Sequence, residues 1–252
     1  MKEHPIIFNG EMVRAILDGR KTQTRRIMKP QPKPTPDDYY GKKGHQWPSK
    51  KHQSMLHVEG ELQNGYGNWN GLASDACPLG AVGEHLWVRE TFCIGKYEAE
   101  DKLPGYGGEE LYISQCLGDD DVIYKQHAVD IGCNILEATW KPSIHMPRSA
   151  CRIILQITNI RVERLQEINE QDASAEGMTF TDFGLNQFGN QQPGWLWRKS
   201  SSHEECLCSA KFAFANLWTS IYGGRAWSDN PWVWVIEFKV LTTNGVIGEE
   251  SA

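Results

Sequence analysis

The spacing of apolar residues near the start of the chain predicts a short helix. Between Phe8 and Asp18 the apolar side chains recur at helical intervals, with Met12, Ala15 and Ile16 on one side. Asn9 is a residue type that caps helix N-termini, and Gly19 is one that ends helices. We therefore expect an amphipathic helix that stops at Gly19.

A short strand is predicted directly after this helix. Residues 22–27 are rich in β-branched and long polar side chains that alternate along the chain. Side chains of a strand point alternately to its two faces. One face then carries Thr22, Thr24 and Arg26, and the other carries Gln23 and Arg25. Lys21 lies at the mouth of the predicted strand.

Further strands and helices are indicated along the rest of the chain. The predicted strands are 83–92, short pieces at Tyr112 and 122–124, the long stretch 151–165, and the closing stretch 231–240. The predicted helices are 169–177, stopped by Gly177, and 212–222. The stretch 151–165 is the longest, and we expect it at the centre of a sheet.

Three stretches lack this regularity. Residues 29–70 are rich in Pro, Gly, Gln and Lys and are expected to form a loop without a core of its own. A second irregular stretch, rich in Gly and acidic residues, follows at about 96–121. We expect one domain over residues 1–252, with insertions at about 30–76, 96–121 and 182–208.

The composition is that of a soluble globular protein. Of 252 residues, 40% are hydrophobic and 23% are charged, which is enough apolar material for a real core. Charged residues interrupt the first twenty positions, and no apolar run approaches the length of a membrane span. We expect a cytoplasmic protein without membrane partners.

The charge is unevenly distributed. The formal net charge of −6 argues against a protein that coats nucleic acid non-specifically, because such binding uses many Lys and Arg contacts to phosphates. Yet residues 12–51 hold 11 Lys and Arg against 3 Asp, a local balance of +8. Two interpretations stay open: a solvated basic loop, or an electrostatic guide for RNA or a nucleotide.

Cysteine and motif patterns indicate neither a metal nor a cofactor. The seven Cys residues show no repeated C-x-x-C pairs, and the C-x-C of Cys206 and Cys208 has no partner at zinc spacing. Phosphate-loop, dinucleotide-binding and zinc-protease motifs are missing from the sequence. Most of the ten Trp residues are expected in the core, although a Trp ring can also stack on a base.

Several motifs, in this order, resemble the ASCH superfamily of PUA-like proteins. They are Gly19-Arg20-Lys21-Thr22-Gln23-Thr24-Arg25-Arg26, the stretch from Ala173 to Met178, and Ile236-Glu237-Phe238-Lys239. These motifs are similar to those of the small bacterial N(4)-acetylcytidine amidohydrolases. Longer ASCH proteins of phages and prophages resemble the chain at Leu86-Trp87-Val88-Arg89-Glu90 and at 232–238. The resemblance covers the scaffold and excludes the insertions.

The resemblance implies both a fold and a site. The fold would be α+β, a PUA-like mixed β-barrel flanked by helices, with long loop insertions. The catalytic residues would be Lys21, Thr24 and Glu176. Substrate contacts are expected from five residues, Phe8, Thr22, Arg26, Trp87 and Arg89.

Hydrolysis of an amide on the exocyclic nitrogen of a base requires a nucleophile, a proton carrier and a group that stabilises the oxyanion. A desolvated Lys21 could accept a proton from Thr24 or from water, while Glu176 orients Lys21 or protonates the leaving amine. Each residue also has a structural interpretation, such as a lysine that complements a helix dipole. Two other functions stay open: an RNA or modified-nucleic-acid binding module without turnover, and a ribonuclease.

Overall fold

A computed structural model describes residues 1–35, 43–63, 71–101, 109–115, 121–136 and 138–245. The helices in this part of the chain are α1 (Gly10–Leu17), α2 (Leu72–Ala76), α3 (Lys125–Asp130), α4 (Glu170–Ala175) and α5 (Ala210–Tyr222). The first strands are β1 (Glu3–Ile7), β2 (Gln23–Ile27), β3 (Lys33–Pro34), β4 (His45–Ser49), β5 (Ser54–His57), β6 (His85–Arg89) and β7 (Phe92–Ile94). The later strands are β8 (Lys96–Asp101), β9 (Glu109–Ser114), β10 (Val122–Tyr124), β11 (Ile154–Arg164), β12 (Thr179–Leu185), β13 (Gln191–Leu196) and β14 (Trp232–Thr242).

The chain divides into two compact units. The first unit contains residues 1–4, 18–86 and 156–239, and the second contains residues 5–17, 87–155 and 240–252. Helices and mostly antiparallel strand pairs occur together, which confirms the α+β class. None of the helices in the described ranges is both long and apolar enough to cross a membrane.

The largest sheet has five strands, and each of them contributes residues to the first unit. The strand order is β1-β6-β11-β14-β2, and β14 runs antiparallel to β2. Because β1 and β2 lie at opposite ends of this order, the described strands do not form the closed barrel that the resemblance implies. Residues 232–236 of β14 are all buried, so this strand is covered on both faces.

The predicted helix boundaries near the site are confirmed by their caps. Asn9 Oδ1 accepts a hydrogen bond of 2.9 Å from the backbone N–H of Met12, at the start of α1. Asn169 caps α4 in the same way through the N–H of Asp172, at 2.8 Å. Gly19 and Gly177 follow the two helices with φ of 72° and 103°, which an L-residue with a side chain rarely adopts.

The expectation of a coreless loop over residues 29–70 is wrong for the part that the structure describes. Strands β3, β4 and β5 form a three-stranded antiparallel sheet there. Trp47 of β4 is buried, and its ring contacts that of Trp234 edge-on, with 5.3 Å between centroids. Val58 and Leu62 are also fully buried. These strands are short, and β4 contains Pro48 and is followed by two lysines. The alternation of apolar and polar residues was therefore too weak to predict them.

The other predicted insertions also contain regular structure. In the second unit β8 and β9 pair as an antiparallel hairpin, and in the first unit β12 pairs with β13. Tyr112 and residues 122–124 lie in strands, as predicted. Four pieces of the predicted insertions, 36–42, 64–70, 102–108 and 116–120, lie outside the described residues.

Replacing Leu62 by Ala tests whether the segment around β4 and β5 belongs to the folded core. Leu62 is fully buried, so Leu62→Ala is expected to lower the free energy of unfolding by about 2–5 kcal/mol. Urea unfolding of the full chain measures the change. Met55 of β5 is half exposed, and Met55→Ala is the control, expected to change stability by only about 0.5 kcal/mol. Equal effects of the two substitutions would contradict a core role for this segment.

Candidate active site

Backbone contacts hold residues 20–22 against the end of α4. Lys21 and Glu176 form an antiparallel backbone bridge, and the N–H of Thr22 donates to the carbonyl of Ala175 at 2.8 Å. The Arg20 guanidinium donates to the carbonyl of Gly177 at 2.7 Å. The glycine stops after α1 and α4 therefore lead into two segments that lie side by side.

This pairing places the side chains of Lys21 and Glu176 in direct contact. Lys21 Nζ lies 2.6 Å from Glu176 Oε2 and 2.9 Å from the backbone carbonyl oxygen of the same residue. Lys21 is 1% exposed and Glu176 is 2% exposed. An ion pair removed from water in this way interacts far more strongly than one at the surface. Two of the three predicted catalytic residues are thus together.

Arg25 is the third member of this group, and the sequence analysis did not select it. Its guanidinium contacts three carboxylates: Glu176 Oε1 at 3.1 Å, Asp172 Oδ2 at 3.1 Å and Glu163 Oε1 through Nε at 3.0 Å. Arg25 is 3% exposed. The predicted alternation had placed Arg25 on the other face of the strand from Arg26. An arginine that is buried among carboxylates has no distinct signal in the local sequence.

Arg161 of β11 continues the same network toward solvent. Its guanidinium contacts Asp172 Oδ1 at 3.0 Å, Glu163 Oε2 at 3.2 Å and the Glu237 carboxylate. Burial alone would raise the pKa of Asp172, but Arg161 and Arg25 outweigh it and hold that pKa below its ordinary value. Asp172 therefore stays ionised and helps to fix the position of Arg25.

Burial has the larger effect on Lys21. Removal of the ammonium from water lowers the pKa of Lys21 below its ordinary value of 10.5. Glu176 opposes this shift, whereas the positive charges of Arg26 and Arg25 add to it. Lys21 is therefore easier to deprotonate than a surface lysine, although it lies beside a carboxylate.

The structure places the other predicted residues of the first unit on or beside β2. Thr24 is buried and stands opposite Ile236 in the β2–β14 register. Its neighbours Gln23 and Arg25 both contact Asp172, so strand alternation directs Thr24 to the other face.

Thr22 and Arg26 have different surroundings. Thr22 is exposed and helps to line a polar cavity of about 270 Å³ together with Asp172 and Glu237. Arg26 is half-buried, stands opposite Trp234 in the β2–β14 register, and contributes to the lowered pKa of Lys21. Arg26 thus acts electrostatically on the pair.

The remaining predicted substrate contacts, Phe8, Trp87 and Arg89, belong to the second unit. Phe8 is buried just before α1 and helps to line a cavity of about 350 Å³. The guanidinium of Arg89 lies 5.3 Å from the centroid of the Trp87 ring and donates to the carbonyl of Ile144. Trp87 and Arg89 therefore lie together on β6.

Across the described ranges, no three His, Cys, Asp or Glu side chains are arranged to hold a metal ion. The chain matches no protein-family model, no curated protein and no solved structure. The argument for function therefore relies on the chemistry of the site.

Removal of Arg25 tests the network. Arg25→Met leaves three carboxylates without this guanidinium, and the loss of one partner from a buried ion pair costs about 3–5 kcal/mol. Chemical unfolding of the full chain measures the loss. Arg198→Met is the matched control, because Arg198 and its ion-pair partner Glu205 are both about half exposed and the pair is expected to contribute about 1 kcal/mol or less. A loss no larger in Arg25→Met than in the control would contradict the network.

Lys21 predicts a pH dependence of stability. Between its lowered folded pKa and the ordinary value of 10.5, the unfolded chain binds a proton that the folded chain does not. The contribution of Lys21 to the free energy of unfolding therefore rises with pH across this window. Lys21→Met removes the titrating amine. The free energy of unfolding of the wild type, relative to that of the variant, is therefore expected to rise with pH across this window. Parallel stability curves would show that the pKa of Lys21 is unshifted.

Proposed function

We propose that this chain is an ASCH-type amidohydrolase that acts without a metal on an N(4)-acylated cytidine or a closely related modified pyrimidine nucleoside. The single observation that supports it most is the buried contact of 2.6 Å between Lys21 and Glu176. A lysine with a lowered pKa beside an anchored carboxylate has the properties of a general base. The substrate class comes from the resemblance of the motifs, in their order along the chain, to those of N(4)-acetylcytidine amidohydrolases.

In the proposed reaction the neutral amine of Lys21 accepts a proton from a water molecule, which is the nucleophile because strand alternation directs Thr24 to the other face of β2. The nucleophilic oxygen forms a bond to the acyl carbon, and the bond from that carbon to the exocyclic nitrogen breaks. The proton on Lys21 then passes to the leaving nitrogen. With water as the net reactant, acetylcytidine yields cytidine and acetate.

Glu176 holds Lys21 in place and stabilises its ammonium form when the proton arrives. The carboxylate accepts from Lys21 through Oε2 and from Arg25 through Oε1, so both oxygens have fixed partners. Its orientation therefore needs no rearrangement during proton transfer, which is the advantage of a preorganised polar site. In the proposed reaction Glu176 therefore positions Lys21 and stabilises its charge.

The alternative of an RNA-binding module receives less support. It depended on the basic segment and on exposed Trp rings. Four cations of that segment, however, are paired with acidic side chains: Arg14, Arg20, Lys21 and Arg25. Four of the tryptophans are buried: Trp47, Trp218, Trp232 and Trp234. Paired cations and packed rings contribute little to phosphate binding or base stacking.

A panel of modified nucleosides, incubated with the full chain and analysed by mass spectrometry, separates the three functions. Acetate and cytidine released from N(4)-acetylcytidine support the amidohydrolase. Salt-sensitive RNA binding without turnover supports the binding module, and shortened RNA in a parallel gel supports the ribonuclease.

Substitution of Glu176 gives the sharpest test of the proposed site. Glu176→Gln keeps the shape of the side chain but removes its charge, and turnover of N(4)-acetylcytidine is expected to fall by at least about a hundredfold. Glu170→Gln is the matched control, since it makes the same chemical change at an exposed position of α4 and should keep full turnover. Circular dichroism and urea unfolding verify that both variants are folded under the assay conditions.

Lys21→Met is expected to lose turnover to a similar extent, and the double variant should be scarcely worse than either single one, because residues that act as a unit are strongly non-additive. Near-normal turnover in folded Glu176→Gln and Lys21→Met would show that the reaction takes place elsewhere.

A further inference from the structure

A second cavity of the first unit has a lining unlike that of the polar cavity beside Thr22 and Asp172. It measures about 410 Å³, within the range of about 300–1,000 Å³ that is usual for small-molecule sites. Its walls come from the β4 strand, the turn after β4, the end of α2 and the residues that follow β2. Eight residues line it, Lys29, Pro30, Trp47, Pro48, Lys50, Lys51, Ala76 and Pro78.

All the charges in this lining have one sign. Lys29, Lys50 and Lys51 are exposed, and none of them forms an ion pair with any residue that the structure describes. This differs from the cations around Glu176, which are paired with carboxylates. In a chain of net charge −6, three lysines around one cavity, without an ion-pair partner among the described residues, favour a local positive potential.

The rest of the lining is rigid and apolar. Three proline rings, one alanine and the Trp47 ring form these walls. The cavity thus combines apolar surfaces and a positively charged rim.

We infer that this cavity binds a nucleotide, with the phosphate at the three lysines and the base or sugar against the proline surfaces. Lysine ammonium groups bind phosphate as compact charges, and apolar walls bury the uncharged part of a small ligand. The phosphate belongs either to a free mononucleotide or to a nucleotide within an RNA strand. This inference is independent of the reaction at Lys21.

Calorimetric titration of the full chain with cytidine 5′-monophosphate and with cytidine tests the site. The wild-type chain is expected to bind the monophosphate at least about tenfold more tightly, the factor expected from one charge-assisted hydrogen bond. The double substitution Lys50→Gln and Lys51→Gln is expected to abolish this preference. Lys33→Gln with Lys43→Gln is the control, because it removes the same charge from exposed positions outside the cavity lining and should keep the preference.

A short oligocytidylate distinguishes the two sources of phosphate. Tighter binding of the oligonucleotide, with a salt dependence that weakens by about one unit of slope for each lysine removed, identifies an RNA strand. Tighter binding of the monophosphate identifies a free nucleotide. Equal affinities of the wild type for cytidine and its monophosphate would overturn the inference, as would a preference that survives in the Lys50 and Lys51 variant.

The same variants keep this inference separate from the proposed reaction. Glu176→Gln is expected to retain the preference for the monophosphate, because Glu176 does not line the cavity. The Lys50 and Lys51 variant is expected to release acetate from the uncharged nucleoside at the wild-type rate. Loss of the preference in folded Glu176→Gln would instead locate the phosphate at the Lys21 site and overturn the inference.

Discussion

The buried charge network centred on Arg25 is the constraint on which the site depends. One guanidinium contacts carboxylates from β11, from α4 and from the residue that ends α4. Removing so many charges from water costs free energy, and such networks add little net stability compared with apolar packing. Their advantage is positional: Glu176 can hold Lys21 in one orientation only because Arg25 holds Glu176. The geometry of the proposed base is therefore set by a residue outside the predicted site.

The parts of the site that the sequence predicted are those determined by local rules. Asn9 and Asn169 were recognisable as caps, and Gly19 and Gly177 as stops, because each acts within one turn of its own helix. The long strand β11 and the closing strand β14 were also predicted, since continuous apolar runs mark buried strands. The pairing of Lys21 with Glu176 came from motif resemblance and agrees with their contact in the structure.

The parts of the structure that the sequence did not predict depend on contacts between distant segments. Arg25 and Arg26 are adjacent and chemically identical, and the carboxylates that distinguish them lie about 140–150 positions further along the chain, so no local pattern separates the two. Trp47 lies in a five-residue strand containing a proline, and its burial depends on the ring of Trp234. Whether a sheet closes into a barrel likewise depends on pairing between its end strands, which alternation within a strand cannot reveal.

The cations that are paired with carboxylates and the lysines that line the second cavity have two different roles in this acidic chain. Around Glu176 the cations are buried and neutralised, so they set the pKa and the orientation of Lys21 without creating a field that reaches far into solvent. Around the second cavity the lysines are exposed and unpaired with described residues, so their field extends outward over about a Debye length, roughly 8–10 Å. A count of all the basic residues in 12–51 does not distinguish these two groups. Since exposed cations attract an anion from solution more strongly than buried, paired ones, the inferred phosphate site lies at those lysines, and the proposed proton transfer lies at the buried pair.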